Sequence, residues 1–310
     1  MKRDLRTICD LSAAEVEEIL AASIDLKAKT KSRTPHALLE GRTLAMIFEK
    51  PSLRTRVTFE TGMKQLGGHA IYLAPADIGL GKRESVKDVA QCLSRWVDLI
   101  MARTFAQATV DGLAEHASIP VINGLSDDEH PCQVLADLMT VQEHRGTLKG
   151  QQVAWVGDGN NVCHSLLLLC GKLGMSVTVA TPQSHQPQAR FVERAHSDAE
   201  AQGAAIRLVS DAVEAVAGAD CVFTDTWASM GQESEAEARR KLFAPYQVNA
   251  ALLAKAKPDA IVLHCLPAHR GEEITDEVID GPQSVVLDEA ENRLHAQKGL
   301  MVSLVRWSER

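Results

Sequence analysis

The stretch "TLAMIFEKPSLRTRVTFE", residues 43–60, joins an apolar run to a segment with helical spacing through a short polar turn. The apolar run has the length of a buried strand, and Pro51 and Ser52 are residue types that begin helices. Arg54 and Arg56 follow at once. The stretch therefore predicts a strand, a turn and a helix that starts with positive charge.

The same alternation of short apolar runs and helical stretches continues along the chain. Such alternation predicts βαβ units and parallel sheets. Ten strands in 310 residues suit two α/β lobes, each a mainly parallel sheet flanked by helices, better than one sheet. The predicted strands span residues 43–48, 70–73, 99–103, 121–123, 153–156, 177–180, 206–209, 221–224, 261–264 and 285–287.

A capping box and a polar segment predict where the first helix begins and where one domain ends. Ser12 with Glu15 three residues later forms a capping box that predicts the start of the first helix. The polar segment at residues 145–152 ends a helical pattern that begins at Pro131, so we predict a domain boundary there. The last segment predicts one helix from about Ala290 to Trp307.

Composition limits the class of protein. The formal net charge of −8 argues against general nucleic-acid binding but not against a local basic pocket for a small anion. No apolar run approaches the ~18 residues of a membrane span, and the N-terminus has no signal-peptide pattern. The seven cysteines form no CxxC pair, which predicts free thiols in a reducing cytoplasm.

Polar residues that follow the first and third predicted strands are candidates for anion binding, since ligands sit beyond the carboxyl ends of strands in α/β sheets. Ser52, Arg54 and Thr55 lie at a helix start, where backbone N–H groups and the helix dipole favour a phosphate or similar oxyanion. Arg103 ends the third strand. The alternatives are a solvated basic helix start and a surface arginine.

A second set of candidates lies at later helix starts. His130 and Gln133 flank Pro131 after the fourth strand, and a neutral His and a Gln amide can both donate to a carbonyl oxygen. Arg293 lies near the start of the final helix, again a position suited to an anion. A structural histidine and an ordinary helix arginine are the alternatives.

The second lobe offers the segment "VAWVGDGNNVCHSLLLLCGKLG", residues 153–174, which only partly resembles a dinucleotide fingerprint. Val162 stands where the fingerprint requires its third glycine, and no acidic residue ends the next strand to bind a ribose. A nicotinamide cofactor is therefore disfavoured. Asn160 and Asn161 instead offer amides that could hold the charged groups of an amino acid.

Two further strand ends carry unusual residues. Asp225 precedes Trp227, Ser229 and Met230 in a polar loop, which predicts either a loop that closes over a ligand or a packed surface loop. Cys265 follows another strand and is either a core thiol or a site residue. No hydrolase triad or usual zinc spacing is present, so we predict no metal.

Taken together, "PSLRTR", "HPCQ", "DGNN", "DTWASMGQE", "HCLPAHRGEEIT" and "EAENR" occur in an order that resembles the ornithine carbamoyltransferases over essentially the whole chain. The patterns SxRTR and HPxQ are shared with aspartate carbamoyltransferases. The segments "DTWASMGQE" and "HCLPAHRG" resemble the ornithine branch alone.

The resemblance implies a carbamoyl phosphate-binding domain at residues 1–147, an ornithine-binding domain at 148–289, and a C-terminal helix, 290–310, that returns to the first lobe. It implies no cofactor and a homotrimer or a multiple of trimers. Four residues are implied in catalysis: Arg103, His130, Asp225 and Cys265. The resemblance implies that ornithine is bound by Asn161, Asp225, Ser229 and Met230. Carbamoyl phosphate is assigned to Ser52, Leu53, Arg54, Thr55, Gly79, Arg103, His130, Pro131, Cys132, Gln133, Cys265, Leu266 and Arg293.

Two positions depart from the pattern of the family. Leu53 stands where a threonine is usual, so a hydroxyl is lost although the backbone N–H remains. Gly79 stands about where a glutamine is usual, in a loop that reaches a neighbouring subunit's site in the family. A glycine cannot make that side-chain contact.

The predicted reaction transfers the carbamoyl group of carbamoyl phosphate to the δ-amine of L-ornithine, giving L-citrulline and phosphate, in arginine biosynthesis in the cytoplasm. One alternative is a carbamoyltransferase for putrescine, an N-acylornithine or aspartate. Alternatives of other classes are a nicotinamide-dependent dehydrogenase and a non-catalytic sensor of an amino acid or anion.

Overall fold

A computed structural model describes residues 2–81, 83–228 and 233–310, with the side chain of residue 233 left out. The chain divides into two compact units. The first unit comprises residues 1–139 and 291–310, and the second comprises residues 140–290.

The elements of the described chain alternate between strands and helices. The strands are β1 (Thr43–Phe48), β2 (His69–Leu73), β3 (Leu99–Arg103), β4 (Val121–Leu125), β5 (Gln152–Val156), β6 (Ser176–Ala180), β7 (Ile206–Val209), β8 (Cys221–Thr224) and β9 (Ile261–His264). The helices are α1 (Ala13–Lys31), α2 (Leu53–Gln65), α3 (Pro75–Ile78), α4 (Val86–Trp96), α5 (Gln107–His116), α6 (Pro131–Arg145), α7 (Asn161–Lys172), α8 (Ala189–Ala201), α9 (Ala212–Val216), α10 (Ala236–Phe243), α11 (Ala250–Leu253), α12 (Asp276–Ile279) and α13 (Val286–Glu309).

Each unit contains one parallel sheet whose strand order reverses once. The first sheet has the order β2-β1-β3-β4, so the chain changes direction between β1 and β3. The second has the order β7-β6-β5-β8-β9, with the change between β5 and β8. Ligands of open α/β sheets bind at such switch points, beyond the carboxyl ends of the strands. A ligand site is therefore expected in the segments that follow β1, β3, β5 and β8.

Helix starts follow the capping residues that the sequence indicates. Ser12 Oγ accepts a hydrogen bond from the Glu15 N–H at 3.2 Å, and the Glu15 carboxylate accepts one from the Ser12 N–H at 2.8 Å, so the predicted capping box is confirmed. Ser52 caps α2, and Pro131 is the first residue of α6. These starts fix where the polar residues of the strand–helix junctions lie.

The strand predicted at residues 285–287 is wrong, because α13 begins there at Val286. Only one bridge, between Val262 and Ser284, joins this region to the sheet. Asp288 and Glu289 lie in the first turn of the helix, where negative charge favours a helix start. The final helix therefore starts about one turn earlier than predicted.

Helix α13 packs within the first unit against α1 and α2. Lys27 Nζ donates to Asn292 Oδ1 at 2.7 Å, and the buried Lys298 Nζ donates to Thr30 Oγ1 at 2.6 Å and to Gln65 Oε1 at 2.8 Å. The predicted return of the C-terminal helix to the first lobe is confirmed. Within the described residues, no helix combines the length and apolar character needed to span a bilayer.

Candidate active site

The start of α2 is shaped by Ser52 and Thr55. Ser52 Oγ lies 3.1 Å from Thr55 Oγ1 and accepts a hydrogen bond from the Thr55 N–H at 3.4 Å. The earliest N–H groups of a helix have no partner inside it, and the helix dipole adds partial positive charge there. Arg54 is half-buried in this first turn. Ser52, Arg54 and Thr55 therefore form a local positive end that suits an anion.

Arg293 contacts two of the other predicted site residues. Its guanidinium donates to Gln133 Oε1 and, at 3.3 Å, to Thr55 Oγ1, and the arginine is only 2% exposed. The Gln133 Nε2 donates in turn to Asp137 Oδ1 at 2.7 Å. Sequence reasoning missed Asp137, since its part depends on a spacing of four residues along α6 with no other signal. The network fixes the orientation of the Gln133 amide.

His130 lies in the same positive surroundings. Burial lowers its pKa well below the usual value, and the charges of Arg293, Arg103 and Arg54 lower it further. The imidazole is therefore neutral near pH 7 and can donate a hydrogen bond. Four of the predicted residues thus act on one another within the first unit.

Arg103, the last residue of β3, is one of the three arginines whose charges act on His130. The pairing register of β3 with β4 shifts between Ala102 and Arg103. Such irregularities re-aim side chains and are common next to active sites. Arg103 is 6% exposed, and its carbonyl accepts from the Glu49 N–H at 2.8 Å. The irregularity accounts for a buried arginine at a sheet end.

Other predicted residues of the first unit have different surroundings. The Leu53 side chain is 75% exposed at the start of α2. Burial raises the pKa of the Cys132 thiol to about 12, and this thiol donates to the Asn123 carbonyl at 3.3 Å. Pro131 supplies the first position of α6. For Leu53, Pro131 and Cys132, contact with an anion stays a prediction.

Gly79 occupies a backbone position that explains its identity. It ends α3 with φ of +56°, in the left-handed region that favours glycine. Its N–H donates to the Pro75 carbonyl, and its carbonyl accepts from the Arg83 N–H. These backbone contacts lie within its own loop, so binding through Gly79 stays a prediction.

The second unit gathers its polar residues around Asp225, at the end of β8. Asp225 Oδ2 accepts from Asn160 Nδ2 at 2.7 Å, while Oδ1 accepts from the Thr226 N–H at 2.8 Å and from the Cys265 thiol at 3.1 Å. Asn160 also caps α7, and Asn161 is the first residue of that helix. Of the two amides that the sequence indicated, Asn160 is therefore held at the carboxylate, and contact of Asn161 with ornithine stays a prediction.

The loop after Asp225 is only partly described. Ser229 and Met230, both predicted to bind ornithine, lie outside the described residues. Trp227 is 4% exposed and stacks on Phe243 with ring centroids 6.0 Å apart. Its carbonyl accepts from Arg239 at 2.8 Å. Core packing alone therefore accounts for Trp227, without a ligand.

The segment after β9 contains an arrangement that the sequence did not indicate. Cys265 and Leu266, predicted to contact carbamoyl phosphate, are anchored in the second unit through Asp225 and the His264 ring. The buried His264 Nε2 lies 3.0 Å from Glu273 Oε1. Glu273 lies in the segment "HCLPAHRGEEIT" but was assigned no role, because its partner becomes clear only once the chain after β9 has turned back.

Asp225, His264 and Cys265 have potential ligand atoms within 4.8 Å of one another, as do His269, Glu272 and Glu273. Both ring nitrogens of His264 already take part in hydrogen bonds, with the Leu266 N–H and with Glu273. A metal ion at the first cluster would have to displace one of them. The prediction of no metal therefore stays a prediction.

Comparisons with known proteins identify the two units. Residues 3–143 match "Aspartate/ornithine carbamoyltransferase, carbamoyl-P binding domain", and residues 149–304 match "Aspartate/ornithine carbamoyltransferase, Asp/Orn binding domain". The chain is 55% identical over 303 residues to ornithine carbamoyltransferase from Pyrococcus horikoshii, covering 98% of this chain and 96% of the relative. It is 54% identical over 299 residues to the anabolic ornithine carbamoyltransferase of Pyrococcus furiosus, covering 96% and 95%.

Solved structures give the same result. Ornithine carbamoyltransferase from Pyrococcus furiosus matches with a TM-score of 0.95 at 54% identity, covering 97% of this chain and 96% of that chain. The anabolic enzyme from Campylobacter jejuni matches with a TM-score of 0.93 at 38% identity, covering 99% and 100%. The resemblance seen in the sequence is confirmed, and the chain belongs to the aspartate/ornithine carbamoyltransferase family, in its ornithine branch.

Proposed function

We propose that this chain transfers the carbamoyl group of carbamoyl phosphate to the δ-amine of L-ornithine, giving L-citrulline and phosphate. The observation that carries the proposal is the cluster in which Arg293 contacts Gln133 and Thr55 while burial, together with the charges of three arginines, keeps His130 neutral. A doubly charged phosphate and a polarised carbonyl need this combination of fixed positive charge and neutral donors.

The first unit would activate carbamoyl phosphate. Ser52, Arg54, Thr55 and Arg293 are placed to bind the phosphate and to stabilise it as it leaves. Arg103 and His130 would donate to the carbonyl oxygen, on which negative charge develops in the tetrahedral intermediate. Preorganised donors of this kind each lower the activation free energy by roughly 2.7–4 kcal/mol. A histidine kept neutral by burial can donate without bringing a further charge to the site.

The second unit would align the attacking amine. Asp225 is held by Asn160, by its own neighbour's N–H and by the Cys265 thiol, so its carboxylate has a fixed direction. A carboxylate can accept a hydrogen bond from the δ-amine and point the nitrogen lone pair along the path of attack. Ser229 and Met230, with Asn161, are proposed to hold the rest of ornithine. Loss of the ammonium proton precedes attack.

The dinucleotide alternative is disfavoured at the start of α7. A pyrophosphate would use the free N–H groups there. The Asn160 side chain already accepts hydrogen bonds from the N–H groups of Val162 and Cys163, at 3.0 and 3.1 Å. The segment "GDGNN" is thus built to orient Asn160 and, through it, Asp225.

One assay tests the reaction and the substrate together. Carbamoyl phosphate is offered with L-ornithine, putrescine, N-acetylornithine or aspartate, and the carbamoylated product and phosphate are measured. We expect citrulline from ornithine at a rate well above that of any other amine. An equal or higher rate with another amine would overturn the substrate, and release of phosphate without a carbamoylated product would overturn the transfer.

Several wider assignments belong to the same proposal. A biosynthetic direction is supported by the names of the anabolic relatives. A cytoplasmic location is supported by seven cysteines that all remain free thiols. A homotrimer, or a multiple of trimers, is proposed from the family resemblance alone. Residues 1–147 with 290–310 are proposed to bind carbamoyl phosphate, and residues 148–289 are proposed to bind ornithine.

A further inference from the structure

The segment after β9 is held by a buried pair of ionisable side chains. His264 is 1% exposed and Glu273 is fully buried, and His264 Nε2 lies 3.0 Å from Glu273 Oε1. The other ring nitrogen, Nδ1, accepts a hydrogen bond from the Leu266 N–H at 2.9 Å. Because Nδ1 acts as an acceptor, the ring proton sits on Nε2 and is donated to Glu273. Glu273 thus selects the tautomer that holds Leu266.

Two further bonds fix the same segment from both sides. Glu273 Oε1 also accepts from the His269 N–H at 2.6 Å, so one carboxylate oxygen ties together the two ends of residues 264–269. The His264 N–H donates to Glu289 Oε2 at 2.8 Å. The segment is therefore fixed through its backbone, with the His264 ring as the central link.

Leu266 needs this support because its backbone is strained. Its φ is +55°, in the left-handed region that is unfavourable for a residue with a side chain. A strained residue persists only where its surroundings fix it. The Leu266 N–H bond to His264 Nδ1 is such a restraint.

Cys265 lies between His264 and Leu266, and its thiol donates to Asp225 Oδ1 at 3.1 Å. The direction of the thiol depends on the backbone on either side of it. We propose that His264 and Glu273 are positioning residues for carbamoyl transfer, which hold the Leu266 backbone and aim the Cys265 thiol at Asp225. This inference rests on the proposed function, since it concerns how the ornithine side of the site is kept in register.

Two substitutions of the same residue separate the two ring nitrogens. His264→Asn places an oxygen near Nδ1, where an Asx-type turn can still accept from the N–H two residues on. His264→Gln places an amide near Nε2, which can still donate to Glu273 but leaves the Leu266 N–H without its acceptor. Each variant loses one buried hydrogen bond, so we expect similar falls in melting temperature.

Their kinetics should differ. We expect His264→Gln to lower kcat/KM for ornithine by about a hundredfold, the cost of a misplaced reacting group. His264→Asn should lose much less, and the KM for carbamoyl phosphate should change little in either. Glu273→Gln, which keeps an acceptor oxygen for both donors, should retain more activity than Glu273→Ala. Equal losses in the two His264 variants, tracking their stability, would show a structural role only and overturn the proposal.

A second readout does not depend on the reaction. The rate at which iodoacetamide alkylates Cys265 is followed by mass spectrometry of the peptide that contains it. We expect His264→Gln to change this rate and His264→Asn to leave it close to that of the unsubstituted protein. If the unsubstituted protein makes no citrulline, the proposed function fails, and this measurement still decides whether His264 positions Cys265. Unchanged alkylation in both variants would overturn the positioning role.

Discussion

Arg54 and Arg56 stand two positions apart on α2 and have different surroundings. Arg54 is half-buried, and its charge acts on His130 together with those of Arg103 and Arg293. Arg56 is exposed, its Nε donates to Glu60 at 3.0 Å, and its guanidinium lies 3.9 Å from the Tyr72 ring centroid. The helix thus directs one arginine towards the cluster and uses the other on its outer face.

This difference gives a matched pair of variants. We expect Arg54→Ala to lower kcat by about 10²–10³-fold and to raise the KM for carbamoyl phosphate, because a preorganised positive group is lost. Arg56→Ala removes a surface ion pair worth about 0–1 kcal/mol and should keep most of the activity. Steady-state kinetics with carbamoyl phosphate varied at saturating ornithine measure both effects. Near-normal kinetics of Arg54→Ala would contradict the phosphate assignment.

The site residues themselves could be predicted from the sequence more readily than the contacts between them. Arg54, Thr55 and Gln133 were predicted because each lies at a helix start that follows a strand. Arg293 was predicted near the start of the final helix, but α13 begins seven residues before it at Val286, so only its resemblance to a family motif remains as the sequence signal. Their mutual contacts were not predictable in the same way. The bond from Arg293 to Gln133 joins residues 160 positions apart, and only the packing of α13 within the first unit creates it. Glu273 belongs to the segment "HCLPAHRGEEIT" but was assigned no role, since a glutamate in a charged segment is expected to be solvated until the structure shows it buried against a histidine.

At the scale of elements, most strand ends and helix starts could be predicted from the sequence, and the predicted carboxyl ends agree with the structure for eight of the nine strands of the described chain. Ser12 and Ser52 act locally, through side-chain bonds to their own first turn, and Pro131 acts through its fixed φ, so the sequence alone contains the cause. A short apolar run is ambiguous between a strand and a buried helix start. Residues 285–287 show this ambiguity, because acidic residues one step later favour the helix. Gly79 was unexplained by sequence for a similar reason, since a φ of +56° is not visible there.

The packing of α13 on α1 depends on Gly299. A Cβ at this position would lie 2.1 Å from Ser23 Oγ and 2.8 Å from the Ile19 carbonyl oxygen. We expect Gly299→Ala to destabilise the protein by about 1–3 kcal/mol, because overpacking against backbone outweighs the better helix propensity of alanine. The midpoint of urea denaturation, with the slope checked for change, measures the effect.

Gly62 provides the matched comparison within the same unit. A Cβ there would meet the side chains of Lys298 and Met301 at 3.2 and 3.4 Å, and both are flexible chains that can shift slightly. We therefore expect Gly62→Ala to change the stability much less than Gly299→Ala. Equal losses for the two variants would show that the approach of the α1 and α13 backbones is not the cause.

At the scale of the whole molecule, buried histidines set the response to acid. Burial lowers the pKa of His130 well below its usual value and lowers the pKa of His295 to about 3. The charges of Lys298, Lys27 and Lys31 and of His36 add to the effect on His295, while Glu291 Oε1 lies 3.6 Å from its Nε2 and acts in the opposite sense. Both rings are thus neutral in the folded chain where the unfolded chain would begin to take up protons.

The sign of the pH dependence follows from this difference. Below about pH 6.5 His130 and His295 are protonated in the unfolded chain and not in the folded one, so each of these two residues removes about 1.4 kcal/mol of stability per pH unit as the pH falls. His295→Gln keeps a polar side chain of similar reach without the proton uptake. We expect it to flatten the loss of stability between about pH 6.5 and 5. Burial raises the pKa of Asp158 to about 6, so this carboxyl titrates in the same range, but it does so in both proteins and cancels in the comparison. His196, exposed on α8, gives the control His196→Gln, which should leave the profile unchanged. Urea denaturation midpoints across this range decide the matter, and parallel profiles for His295→Gln and the unsubstituted protein would contradict the assignment.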